Sequence, residues 1–109
     1  MKTRKTGSIK KILERKFQKD LIKEIKELFP NCIVCKLDAN YIQGIPDLLI
    51  LFGNRWATLE VKRDKNAPHR PNQDHYVKLM NKMSFSKFIY PENKEKVLHE
   101  MESAFKSIR

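Results

Sequence analysis

A hairpin is written into the middle of this chain. Residues 48–52, Leu-Leu-Ile-Leu-Phe, form an unbroken apolar run bounded by Pro46 and Gly53, the pattern of a strand buried on both faces. Gly53-Asn54 is a two-residue turn signal, so the following segment is expected to return antiparallel to that run. The return segment, residues 56–62, alternates: Ala57, Leu59 and Val61 lie on one side, and Thr58, Glu60 and Lys62 on the other. A two-sided strand in the middle of a chain needs cover above and below, and the remaining sequence supplies it as helices.

The first helix is expected from Ser8, a suitable N-cap. Ile9, Ile12, Leu13, Phe17, Leu21, Ile22, Ile25, Leu28 and Phe29 follow at helical spacing until Pro30 and Asn31 end it. Residues 33–37 are a short strand, and the segment 38–46, with Asp38, Asn40, Gly44 and Pro46, is a loop of turn formers. Residues 63–71 carry two prolines and many charges and read as an exposed, mobile loop. A helix over 72–82 with Tyr76, Val77, Met80 and Met83 inward, a strand over 85–90, and a helix opened by Pro91 with Val97, Leu98, Met101 and Phe105 inward complete the order. The expectation is α-β-β-β-α-β-α, an α/β class with a mixed sheet flanked by helices. At 109 residues there is core enough for one domain, placed at 9–109, preceded by a flexible basic arm at 1–8.

Lys and Arg number 23 against 13 Asp and Glu, a formal charge of +10, which favours a polyanionic partner, nucleic acid first. The apolar run at 48–52 is far short of the roughly 20 residues of a membrane-spanning helix, and the basic N-terminus leads into no apolar signal core. A cytosolic location, bacterial or that of a phage-infected host, is the expectation. Cys32 and Cys35 form one C-x-x-C, but the three histidines offer no second ligand pair, and strand positions three apart face opposite ways. Two buried structural thiols are the expectation here.

Glu60 and Lys62 project from one face of their strand, and Asp47 enters the partner strand at the end away from the turn. The hairpin therefore places Asp47 and Glu60 side by side, within reach of one hard cation. Phosphodiester hydrolysis needs charge neutralised on phosphoryl oxygens and hydroxide made near neutral pH, and a carboxylate-bound Mg²⁺ serves both needs. A lysine alongside orients the water, takes its proton or stabilises developing negative charge. On the first helix Glu14 falls within the apolar stripe, where a carboxylate is costly without a partner such as a metal. The rival reading makes Glu60 and Lys62 solvent-facing residues of an edge strand, Asp47 a turn cap and Glu14 part of a frayed first turn.

Gly44-Ile45-Pro46-Asp47 followed by Glu60-Val61-Lys62 resembles the PD-(D/E)XK nuclease signature. With Glu14-x-x-x-Gln18 on the first helix, Arg63 after the motif lysine and Gln73 at the head of the next helix, it is similar to the VRR-NUC branch, over about residues 12–100. The resemblance implies a restriction-endonuclease-like α-β-β-β-α-β core with Mg²⁺ as cofactor, Mn²⁺ substituting. It also implies Asp47, Glu60 and the Val61 carbonyl as metal ligands, Lys62 as the catalytic lysine, Glu14 as a direct or indirect metal residue, and Gln73 as a positioner of substrate or water. Where this branch often has Thr-Pro-x-Gln, the present chain has Arg70-Pro71-Asn72-Gln73. Small stand-alone members are similar to phage or bacterial homodimers that cleave branched DNA. The expectation is thus a structure-selective DNA endonuclease of the Holliday junction resolvase kind, with a nicking or restriction-like endonuclease and a non-catalytic basic DNA-binding module as alternatives.

Overall fold

The computed structural model describes the backbone of residues 2–107 and the side chains of residues 9–107. Its elements are α1 (Lys2–Leu28), β1 (Ile33–Lys36), β2 (Leu48–Phe52), β3 (Arg55–Val61), α2 (Gln73–Met83), β4 (Ser86–Ile89) and α3 (Lys94–Lys106), in the expected order. They make an α/β structure whose four strands form one mixed sheet in the order β1-β2-β3-β4. The first two pairings are antiparallel, while β3 and β4 run parallel because α2 carries the chain back between them. Gly53, at φ 61°, and Asn54 make the tight turn, with Phe52 opposite Arg55.

β3 lies inside the sheet, and its alternation sorts the structure into two faces. Ala57, Leu59 and Val61 join Leu48 and Ile50 in a core closed by Leu21 and Ile25 of α1 and by Val97, Leu98 and Met101 of α3. Each such apolar side chain taken fully from water contributes about 2 kcal/mol before entropy is counted. On the other face Thr58 donates to Ser86 at 2.7 Å and contacts the Met80 sulfur, so α2 covers β3 and β4. The β1–β2 half of this face is left uncovered, and the paired residues Ile33 and Leu51 are exposed there.

Several expectations change for physical reasons. α1 begins at Lys2, not Ser8, so the backbone of the arm expected at 1–8 is helical from Lys2 onward; Met1 and the side chains of that segment lie outside the described residues. A 27-residue helix is about 40 Å long and overhangs a sheet whose longest strand has seven residues. Consequently Ile9, Ile12 and Leu13 are exposed, as is Leu28 at the far end, and the buried stripe starts near Phe17. β2 is not buried on both faces: Leu48 and Ile50 are covered, whereas Leu51 is exposed because α2 does not reach it. Met83 is exposed at the end of α2, and Pro91 sits in the turn before α3 rather than within it. Cys32 and Cys35 are free thiols and only half-buried; Cys32 packs against the core, and burial pushes its thiol pKa up. No described helix is long and apolar enough to cross a membrane.

The two ends of the sheet differ in kind. At the turn end Phe29, Phe52 and Phe105 meet with ring centroids 5.1 to 5.7 Å apart, and Arg55 donates to the Ala104 and Ser107 carbonyls. At the opposite end the chain is polar, and two loops dock on each other. Gly44, at φ 90°, touches the second loop so closely that a Cβ there would lie 2.5 Å from Asn72 Cβ and 2.8 Å from the Pro71 carbonyl oxygen.

Gly44→Ala is therefore expected to cost about 1–3 kcal/mol, from backbone strain together with overlap. Gly53→Ala meets no atom within 4 Å and bears the left-handed backbone cost alone. Thermal unfolding of the two variants checks the ranking; equal midpoints would remove the close approach as its cause.

Candidate active site

Asp47 and Glu60 stand opposite each other one step beyond the Leu48–Leu59 pair, where the hairpin opens at the polar end of the sheet. Pro46 precedes Asp47 and leaves no N–H for a regular ladder there. The Val61 N–H instead donates to Asp47 Oδ2 at 2.8 Å, which locks that carboxylate onto the end of β3. Because the N–H and C=O of one residue leave an extended strand toward the same side, the Val61 carbonyl also points toward the β2 side. The expected trio, with Glu14 and Gln73, lines one cavity of about 230 Å³.

Glu60 and Lys62 are not solvent-facing residues of an edge strand: they are 3% and 6% exposed, under the loop 63–72 and the start of α2. Gln73 bridges them. Its Nε2 donates to Glu60 Oε2 at 3.0 Å, and its Oε1 accepts from Lys62 Nζ at 2.7 Å and from the Arg70 N–H at 2.8 Å. Lys62 Nζ also donates to the Pro68 carbonyl at 3.0 Å and lies 3.9 Å from Glu60 Oε2. Two hydrogen bonds thus aim the ammonium. The resemblance implies Gln73 as a positioner of substrate or water; its contacts here are with Glu60, Lys62 and the Arg70 N–H.

The electrostatics of the cavity are those of crowded carboxylates. Burial, then the Asp47 charge and the hydrogen bond shared with Asp47, push the Glu60 pKa up to about 9 against a smaller opposing pull from Lys62. Glu14, half-buried on α1, is raised by burial first and by Asp47 second, with Lys62, Arg70 and Arg63 opposing. Glu60 Oε1 is buried and has no hydrogen-bond partner among the described residues. A divalent cation fits this set: it would replace the shared proton and satisfy the orphaned oxygen. Among the described residues no three His, Cys, Asp or Glu side chains gather into a complete metal cage. The protein groups that would hold such a cation are Asp47, Glu60 and the Val61 carbonyl, leaving its other positions to water.

Sequence reasoning missed the roof. The loop 63–72, expected to be a mobile charged segment, supplies the Pro68 carbonyl and the Arg70 N–H, and Ala67 is buried beneath it. Between those two contacts His69 stacks on Phe88, centroids 4.0 Å apart, and its Nδ1 lies 2.7 Å from Asp74 Oδ1. Phe88 is the sheet neighbour of Glu60, so the clasp is fastened directly beside the site. Only the five-residue spacing of His69 and Asp74 hinted at it, and spacing across a helix start is a weak signal. A larger open depression of about 690 Å³ between α1 and β1, with Arg15, Lys19, Ile22 and Lys36 on its walls, has no converging carboxylates and is not the centre. No protein-family model matches the chain, and comparison with curated proteins and with solved structures returns no match.

Glu60 also makes the metal-free fold sensitive to pH. Its folded pKa is raised above the unfolded value, so its contribution to stability is fully present below about pH 4.5 and is lost as pH rises through about 9. Glu60→Gln carries no such dependence. In EDTA its unfolding midpoint is expected to gain on that of the native chain progressively between pH 5 and 9, by about 4 °C or more per kcal/mol relieved. A difference constant across that range would show that burial does not raise this carboxyl.

Proposed function

We propose that this protein is a Mg²⁺-dependent DNA endonuclease of the PD-(D/E)XK kind, similar to the VRR-NUC branch, with its centre at Asp47, Glu60 and Lys62. The observation that carries the reading is the meeting of two carboxylates and a buried, doubly held lysine in one polar cavity on a chain of charge +10. Binding a polyanion gains nothing from buried carboxylates, so a basic DNA-binding module without catalysis does not account for them.

Asp47, Glu60 and the Val61 carbonyl would hold the cation, with Glu14 beside them. When bound, that cation supplies positive charge to the phosphoryl oxygens and a source of hydroxide near neutral pH. The chain's own residues do the rest. Lys62 is no ligand; its Nζ, held by Gln73 and Pro68, keeps one proton free of those two acceptors on the cavity wall, where it would orient the attacking water or meet charge developing on phosphorus. Gln73 holds Glu60 and Lys62 apart at a set distance. Arg63 and Arg70, on the cavity wall, are placed to meet the flanking phosphates.

We further propose that the substrate is branched DNA of the Holliday junction type and that the working form is a homodimer. A chain with one such cavity cuts both strands of a symmetric junction most simply as two copies about a two-fold axis. The uncovered β1–β2 face with exposed Ile33 and Leu51 is apolar surface that a second copy can cover.

Asp47→Ala and Glu60→Ala are expected to abolish Mg²⁺-dependent nicking of supercoiled plasmid, as EDTA does, with circular dichroism unchanged. Lys62→Ala is expected to lose cleavage yet retain Mn²⁺ binding by calorimetry. Full cleavage by Asp47→Ala would sink the site assignment, and loss of Mn²⁺ binding by Lys62→Ala would remove the role given to the lysine.

A four-way junction is expected to be cut faster than linear duplex, with the preference widening as salt weakens contacts to phosphate that carry no sequence information. A monomer by light scattering, on and off DNA, cutting both substrates equally would defeat the junction reading while leaving the nuclease reading in place.

A further inference from the structure

The loop 38–46 is built as a rigid mount. Its two ends are joined where the Leu37 N–H donates to the Asp47 carbonyl at 2.8 Å, so it springs from the backbone of a cavity carboxylate. Inside it, Asp38 accepts the Asn40 N–H on its side chain at 2.8 Å and the Tyr41 N–H on its carbonyl at 3.0 Å, and the Ile45 N–H donates to the Ile42 carbonyl at 3.1 Å. Ile45 is buried, and Gly44 is pressed onto Asn72 at the head of α2. What this framework displays is Tyr41, whose ring is 86% exposed, with Ile42 beside it at 36%. With Leu37 and Ile45 they border an open apolar depression of about 500 Å³, while Ala39, two residues before Tyr41, lines the catalytic cavity.

A turn needs no aromatic residue, and single exposed apolar residues are ordinary. Here, however, the most exposed large hydrophobic side chain described sits on a loop whose backbone is hydrogen-bonded within itself and whose Ala39 lines the cavity, so presenting the ring needs no rearrangement of the backbone. The charges around this end decide what the ring meets. Arg63 and Arg70 line the cavity itself, and Arg15 and Lys36 line the separate depression between α1 and β1. A polyanion drawn to the cavity meets the loop that carries Tyr41, since Ala39 on that loop lines the cavity.

We infer that Tyr41, backed by Ile42, is a stacking platform for an unpaired base next to the scissile phosphate, and that it distinguishes DNA with an open step from continuous duplex. A base paired and stacked within a duplex offers no free face, whereas a base at a branch, gap or bubble does. Stacking on an aromatic ring is tolerant of base identity, so the platform reads structure and not sequence. The inference rests on the reading of the cavity as a nuclease centre for the register of the strand, but its test requires no cleavage.

The test uses duplex carrying 2-aminopurine in a short bubble and the same duplex fully paired, titrated in EDTA with the native chain, Tyr41→Phe and Tyr41→Ala. The native chain and Tyr41→Phe are expected to quench the unpaired 2-aminopurine. Tyr41→Ala is expected to leave it bright and to bind the bubble about tenfold more weakly, with affinity for paired duplex and thermal stability unchanged. Equal quenching by Tyr41→Ala, or equal weakening on both DNAs, would overturn the platform. Conversion of a dimer to a monomer by Tyr41→Ala without a change in quenching would assign the ring to a protein contact and overturn it as well. Plasmid nicking in Mg²⁺ is read separately: quenching that depends on Tyr41, with no nicking by any of the three proteins, overturns the nuclease reading and leaves the platform standing.

Discussion

The carboxylate of Glu60 is buried at the polar end of an inner strand, and the organisation of this end of the molecule follows from keeping it there. An ionised carboxylate out of water is among the most expensive groups a small fold can carry. The structure answers with an amide from Gln73 and an ammonium from Lys62, and still leaves Oε1 without a partner among the described residues. Thr58 on the same face shows that a polar residue of β3 can be satisfied without a charge, by Ser86 and the Met80 sulfur. The strain is localised at one end of one hairpin, which is where a site intended for an outside charge would hold it.

The rest of the fold is arranged to bear that cost. The turn end is closed by three phenylalanine rings and by Arg55, and the central strands bury their apolar face against α1 and α3, so stability is concentrated away from the polar end. Glu24 of α1 pairs with Lys94 of α3 at 3.2 Å and ties those two helices over the core. Two loops then meet above the opening of the hairpin, one from Asp38 onward and one ending at Asn72, with Gly44 as the point where they touch. A site on strand ends, roofed by loops that are held to each other, keeps its geometry when individual loop residues change.

What was legible in the sequence was whatever local pattern determines. Element order, the hairpin turn, the opposition of Asp47 and Glu60, and the inward faces of β3 and α3 all follow from periodicity and turn chemistry over a few residues. Coverage was not legible. Whether Leu51 or Ile12 is buried depends on how far α2 reaches across the sheet and how far α1 outruns it, and no window of sequence contains that length mismatch. The same limit hid the roof: His69 stacks on Phe88, nineteen positions away, and the Pro68 carbonyl that holds Lys62 is a backbone atom with no side-chain signature. Lysine richness drew attention to the surface, yet the lysine that the geometry singles out is the buried one.

The charge of the chain and the charge of the cavity pull in opposite directions, and the proposed function reconciles them. Long-range attraction from a net charge of +10 brings a polyanion to the surface, but the carboxylates Glu14 and Asp47 oppose a phosphate at the point where it would have to react, and Glu60 joins them when it loses its proton. A divalent cation between them offsets two of those negative charges beside Lys62, while the distant field is still set by the dispersed Lys and Arg. On that reading the carboxylates act as a gate on the chemistry: DNA associates, and its bases stack, with or without the cation, whereas reaction of the phosphodiester at Lys62 requires it. Affinity and reaction are then set by different residues, the first by dispersed Lys and Arg and the second by the opening of a single hairpin.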